Sequence, residues 1–221
     1  MESKRKHRIY PFNQTVKPTE LEFKELKQKS SDWAQQRLSD PKTVVIDCET
    51  TGILRNDPTT EIVQLTITNS ATRPLFSMLI KPAQTMSDEL VNIHGISNEM
   101  VADSPIFPQV AKLISFILEG KHVISYNMDF DWKLLIHLFG KYQIGKPEIA
   151  GASCAMDKYS EWKGEWNDSK QGIRWQKLPN LSGLPAHDAL SDCVSTIRIM
   201  ELMAKGIDLA TLNSEEVSLD F

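Results

Sequence analysis

The stretch "VVIDCETTG" (44–52) is an apolar run that ends in two carboxylates, Asp47 and Glu49. A short continuous apolar run reads as a strand covered on both faces. Residues i and i+2 of a strand point the same way, so Asp47 and Glu49 aim together. They do so at the strand's C-terminal end, where open α/β sheets place ligands. Carboxylates that close repel one another, and burial raises the pKa of each. Neither Lys nor Arg lies between Thr43 and Leu54. The balancing charge must come from a distant side chain or a metal ion. One buried acid would suit an ion pair; two, just before Thr50, Thr51 and Gly52, suit a cation site better.

The surrounding pattern is α/β. After "TVVIDCE", the run "EIVQLTIT" (61–68) alternates, and "PLFSMLI" (74–80) follows a turn-like "NSATR". Three closely spaced runs of this kind predict an antiparallel meander. "KHVISYN" (121–127) is a fourth strand and "EIAGAS" (148–153) a fifth. Helices are predicted from Ser87 to a stop at Gly95, from Ser104-Pro105 through Leu118, over "FDWKLLIHLFG" to Gly140, and from about Asp188 to Ala204, stopped by Gly206.

Ahead of this body, Thr19 and Glu22 have the spacing of a capping box. The helix they open, to about Leu38, is weakly amphipathic and is expected to dock through Leu21, Leu26 and Trp33. The expected organisation is an N-terminal arm with an accessory helix (1–40), an α/β body (41–205) and an acidic, loosely packed tail (206–221). The arm holds nine Lys/Arg against six Asp/Glu, in a chain of net charge −4.

Composition narrows the function classes. At 221 residues, with 41% hydrophobic and 24% charged, the chain can bury a full core. No apolar stretch approaches the ~18 to 20 residues of a membrane span, and "MESKRKHRIY" lacks the apolar segment of a secretory signal. Three cysteines without a close pair read as reduced thiols of a cytoplasmic protein, not as a disulfide frame or zinc site. The net charge excludes a strongly basic nucleic-acid binder. It does not exclude nucleic acid, because a bound divalent metal supplies local positive charge.

Two further segments carry acids at helix starts. In "SYNMDFDW" (125–132), Asp131, Leu134, Leu135 and Leu138 share the inward helical face, whereas Asp129 suits a first-turn or capping position. In "PAHDALSDC" (185–193), His187 sits at the helix start, and Asp188 and Asp192 lie at i, i+4. Periodicity does not choose between those two. Carboxylates are the ligands hard Mg²⁺ or Mn²⁺ prefers. Four gathered at one rim of a sheet could hold two ions, which stabilise the attacking and leaving oxygens of phosphodiester hydrolysis. A histidine beside them could accept a proton near neutral pH.

The ordered set "DCETTG" (47–52), "IHGIS" (93–97), "NMDFD" (127–131) and "HDALSD" (187–192) resembles the DEDD 3′–5′ exonucleases of the histidine subclass, which includes polymerase proofreading subunits. The resemblance runs from about Thr43 to Ala204 and implies a ribonuclease-H-like α/β fold: a five-stranded mixed sheet flanked by helices. It assigns Asp47, Glu49, Asp131 and Asp192 as ligands of two Mg²⁺ (or Mn²⁺) ions and His187 as general base. Asp47 would bridge the ions, Glu49 and Asp192 would hold the one that activates water, and Asp131 would support the other. It places Thr50, Thr51, His94, Ile96, Asn127 and Phe130 near the last nucleotides. It implies a substrate with a free 3′ end, expected to be single-stranded DNA, with an RNA-trimming or short-oligonucleotide enzyme as the close alternative that nothing in 47–192 separates from it, and a polymerase or other repair or replication protein as partner. A binding module of the same fold that had lost its chemistry would lack one of the five residues, and all are present.

Tyr126 stands where many members have His, and Cys48, between the acids, should point away from the metals. The segment 157–184 is longer than the motifs require and interleaves Trp162, Trp166 and Trp175 with Lys158, Lys163, Lys170, Arg174 and Lys177. Such a mixture can stack bases and track phosphates. The i, i+4 spacing of Trp162 and Trp166 is also that of helix packing.

Overall fold

The computed structural model describes residues 16–185 and 187–212. Strands β1 (Thr43–Thr50), β2 (Ile62–Asn69), β3 (Pro74–Leu79), β4 (His122–Ser125) and β5 (Gly151–Cys154) form one sheet in the order β3-β2-β1-β4-β5. The first three are the antiparallel meander expected from their spacing, and β4 and β5 run parallel to β1. This is the predicted five-stranded mixed sheet. β1 is central because Val44, Val45 and Ile46 are apolar in succession and nearly solvent-free. A bulge between Glu49 and Thr50 ends its regular pairing with β2, the kind of irregularity that re-aims side chains beside sites.

Two helical layers bury the faces of the sheet. On one, α3 (Phe107–Leu118) and α4 (Met128–Lys141) bring Ile114, Leu135 and Leu138 against Val44, Ile46 and Cys48. On the other, α6 (Ala189–Lys205), α5 (Ala155–Lys163) and α1 (Glu20–Ser39) pack Ile197, Met200, Trp162 and Ala34 with Val45 and Ile124. The short α2 (Asp88–His94) ends at Gly95, whose φ of 73° suits glycine. A ribbon of β6 (Trp166–Asn167) and β7 (Gly172–Ile173), and α7 (Leu209–Leu212), complete the described elements.

Helix α1 starts with the predicted capping box: Glu22 N–H donates to Thr19 Oγ1 at 3.3 Å and Thr19 N–H to Glu22 Oε2 at 2.7 Å. Its docking meets the expectation at Trp33, which packs on the core and donates from Nε1 to Ser153 Oγ at 3.4 Å, and departs from it at Leu21. Leu21 is 67% exposed, and the fully buried contacts are Ser30 and Ala34. Trp162 Nε1 donates to Ser31 Oγ at 3.0 Å, and Ser30 Oγ to Glu161 at 3.3 Å. Small residues let α1 lie close to α5 and α6, a face that the search for large apolar residues overlooks. The arm to residue 15 and the tail from 213 lie outside the described residues. The start of the expected tail is fastened, since Lys163 Nζ donates to both Asp208 oxygens at 2.9 and 3.0 Å.

Three boundaries are corrected. α3 begins at Phe107 with Pro108, not Pro105, in its first turn, and Gln109 Oε1 accepts from Ile106 N–H at 2.9 Å. α4 runs through Gly140 to Lys141, because Tyr142 stacks on Phe107 and the left-handed turn falls at Gln143 (φ 55°). Trp162 and Trp166 do not share a helix: Gly164 closes α5, and Trp166 belongs to the ribbon. Among the described residues no helix is long and apolar enough to cross a membrane.

Candidate active site

The carboxyl end of β1 gathers acids from both layers. Asp47 and Glu49 face the α6 side, and α6 brings Asp192 to them. One oxygen from each of the three lies within 4.8 Å of the others. Asp131 arrives from α4, on the opposite side, and is 3% exposed. It is held by three donors: Cys48 N–H at 3.1 Å and Cys48 thiol at 3.2 Å to Oδ1, and the Ser125 hydroxyl to Oδ2. Ser125 is the last residue of β4 and pairs with Ile46 of β1. Both strands thus reach their ends at Asp131.

Helix α6 is positioned by its own N-cap. Asp188 accepts from Leu190 N–H and Ser191 N–H, each at 3.1 Å. Gln64, opposite Glu49 in the β1–β2 pairing, donates to Asp188 Oδ2 at 3.0 Å and accepts from Ala189 N–H at 3.2 Å. Asp188 is therefore spent on the helix start, and Asp192, one turn later, faces Asp47 and Glu49. This geometry separates two acids that periodicity left equivalent. Asp129 likewise turns outward, to Lys133 Nζ at 3.1 Å.

The electrostatics fit a cation. Burial, then the Asp131 charge, pushes Asp47 well above the ordinary carboxylate range. Burial and then Asp192 push Glu49 to about 8. Burial pushes Asp131 to about 6 against the pull of its hydrogen bonds from Ser125 and Cys48. Burial also raises Asp192, while the nearby His187 pulls it down. Among the described residues no Lys or Arg pairs with these acids, so beyond His187 and the donors on Asp131 their repulsion is relieved only by protons or bound positive charge. That donor set, all hard oxygens, fits a divalent metal ion.

His187 is exposed and holds a left-handed backbone, φ 58°, uncommon for a residue with a Cβ. It lies near both Asp192 and His94. His94 Nδ1 accepts from Ile96 N–H at 3.1 Å, while its Nε2 is buried with no hydrogen-bond partner among the described residues. Thr50 Oγ1 donates to the Gly52 carbonyl at 2.7 Å, and Thr51 Oγ1 accepts from Glu61 N–H at 2.9 Å, shaping the turn after β1. Asn127 is the N-cap residue of α4, and Phe130 is half-buried in that helix's first turn. Ile96 is 4% exposed and packs with Val63, Met86 and Val101.

The residues sequence reasoning missed are Ser125, Gln64 and Glu61. Glu61 is buried and accepts from Lys141 Nζ at 2.7 Å, from the Tyr142 hydroxyl and from Ala83 N–H. Gln64 and Glu61 act through partners 124 and 80 residues away, and Ser125 through Asp131, six residues on across the strand-to-helix turn. Cys48 packs into the core face as expected, but it also donates to Asp131.

A family model described as an exonuclease domain, RNase T, matches residues 44–200. The chain belongs to this exonuclease family. It is a 3′–5′ exonuclease, a hydrolase of phosphodiester bonds. The chain is 31% identical over 188 residues to an uncharacterised exonuclease of Escherichia phage 186, covering 80% of this chain and 94% of that one. It is 35% identical over 178 residues to the DNA polymerase III epsilon subunit of Rickettsia conorii, covering 75% of each. E. coli exonuclease I, solved with a dA16 oligonucleotide, shares the fold at a TM-score of 0.54 and 19% identity. That likeness covers 78% of this chain and 42% of the other.

Proposed function

We propose that this exonuclease removes nucleotides one at a time from the 3′ end of single-stranded DNA, using two divalent ions, Mg²⁺ or Mn²⁺, held by Asp47, Glu49, Asp131 and Asp192. The observation that carries the reading is the convergence of Asp47, Glu49 and Asp192 within 4.8 Å, with the buried Asp131 reaching the same strand end. Two bound ions would supply electrostatic stabilisation of the attacking and leaving oxygens.

The chain's own groups do the rest. Asp131 keeps one orientation because Ser125 and Cys48 fix both its oxygens. Asp192 is aimed by the Gln64–Asp188 clamp at the start of α6. His187, exposed beside Asp192, takes the proton of the attacking water. The His94 ring, fixed by Ile96 N–H at its Nδ1 and close to His187, lines the approach of the terminal nucleotide. Thr50 and Thr51 shape the floor of the 3′ end, with Asn127 and Phe130 on its α4 side. Ile96 serves as a buried prop for His94.

A DNA substrate is favoured by the polymerase III relative, which also makes a polymerase or another replication or repair protein the partner class. Three free cysteines, two of them buried, suit the cytoplasm. The test is a gel of matched 5′-labelled DNA and RNA oligonucleotides with Mg²⁺, and a lane with EDTA. A DNA ladder shortening from the 3′ end and abolished by EDTA is expected. Faster RNA trimming would reassign the substrate, and intact oligonucleotides from folded, metal-loaded protein would overturn the reading.

A further inference from the structure

The catalytic residues do not account for residues 169–185. This segment holds Lys170, Arg174 and Lys177 and no Asp or Glu, in a chain of net charge −4. It is fastened along the active-site side of the molecule. The Tyr126 hydroxyl, next to Asn127, donates to the Gln176 carbonyl at 2.9 Å, and Gln176 N–H donates to Ser160 Oγ at 3.1 Å. Further on, Leu181 N–H donates to Ser195 Oγ at 3.1 Å, and Ser182 and Ser191 hydroxyls meet at 2.7 Å. Ser191 and Ser195 flank Asp192 on α6. Leu178 and Leu181 pack against the core.

What remains outward is polar and aromatic. Trp175 is 44% exposed, and Lys170, Arg174 and Lys177 are exposed. Among the described residues Arg174 pairs with Glu165 alone, at a long 3.9 Å and half in solvent, so the guanidinium's charge is largely unspent. An exposed tryptophan between cations, on a strip that ends at an acidic metal site, is complementary to a single nucleic-acid strand: bases stack on the ring and phosphates meet the cations.

We propose that Trp175, with Arg174 and Lys177, forms a binding strip for the single-stranded part of the substrate upstream of its 3′ end. The strip rests on the 3′-exonuclease reading above and adds to it a preference for longer single strands. From Trp175 to Leu181 is six residues, at most roughly 20 Å of chain. That keeps Trp175 within reach of a strand whose 3′ end lies at the acids, and each added upstream nucleotide has more of the strip to engage.

The test separates strip from centre. Binding of fluorescent oligo(dT) of twenty nucleotides is measured by anisotropy in EDTA, and hydrolysis of the p-nitrophenyl ester of thymidine monophosphate is measured with Mg²⁺. Trp175→Ala and Lys177→Ala are expected to weaken oligonucleotide binding by about ten-fold or more and to leave ester hydrolysis within two-fold. Lys177→Ala should also flatten the log–log salt dependence by ~0.7, the loss of one phosphate contact, and Lys177→Arg should restore it. Unchanged oligonucleotide binding in Trp175→Ala, or an equal loss of ester hydrolysis, overturns the strip. Wild-type protein that binds oligonucleotide but never cleaves the ester would instead overturn the catalytic reading.

Discussion

Cys48 and Asp131 meet across the end of β1: the Cys48 amide and thiol both donate to Asp131 Oδ1, at 3.1 and 3.2 Å. The strand that supplies two acids to one face thereby anchors a third from the other. Ser125 completes the anchor on Oδ2. Ser125→Ala is expected to lower metal affinity or turnover about 10- to 100-fold, the usual cost of removing a group that orients a metal ligand. Metal titration by calorimetry and initial rates on an oligonucleotide check this; unchanged affinity and rate would show that the hydroxyl does not orient Asp131.

Asp188 and Asp192 should separate cleanly. Asp188→Ala removes the α6 N-cap and the clamp to Gln64, for a loss of about 0.5–2 kcal/mol and a slowed but retained cleavage. Asp192→Ala removes a ligand and should abolish cleavage with stability equal or higher. Denaturant melts paired with rate measurements decide. Abolished activity in Asp188→Ala with intact activity in Asp192→Ala would reverse the assignment.

The metal-free protein should lose stability with rising pH. Burial and the neighbouring acids push Glu49 up to about 8 in the folded chain, well above the ordinary carboxylate range, so the folded state keeps a proton that the unfolded chain releases. Stability is therefore fullest below about 4.5 and declines until about 8, with Asp131 adding to the lower part of that window. In EDTA, Tm at pH 8 should fall roughly 5 °C or more below its value at pH 5. Mg²⁺ should recover it by binding the folded state alone, and Glu49→Gln should flatten the slope. A Tm in EDTA that rises from pH 5 to 8 would contradict the repulsion.

Helix α1 belongs energetically to the body of the fold. Ala34 is fully buried among α5 and α6 residues, so Ala34→Glu places an unpaired charge there and should lower stability by several kcal/mol, on the order of 3. Circular-dichroism melts measure it. A loss of less than about 0.5 kcal/mol, the range of surface substitutions, would show that α1 detaches freely.

The sheet was legible because its strands are short apolar runs with period-2 alternation, and Asp47 with Glu49 because a buried strand has no ordinary use for paired acids. Asp131 was legible from its place on the apolar face of α4. The choice of Asp192 over Asp188 was beyond periodicity, since it depends on Gln64, 124 residues away from Asp188. On α1, Trp33 is legible as a docking residue, while Ser30 and Ala34 are not, because they are small and their contacts are set by Trp162 and Glu161. The packing of Ile96 with Val63 and Met86 is not legible in the sequence, because those residues lie in other elements and only the fold brings them together.

The most direct test of the central claim is anomalous diffraction from crystals grown with Mn²⁺ and thymidine monophosphate. Two manganese peaks are predicted, one among Asp47, Glu49 and Asp192 and one between Asp47 and Asp131, with the nucleotide phosphate against both. An active protein whose crystals show no manganese at these carboxylates, or manganese bound only elsewhere, would contradict the account.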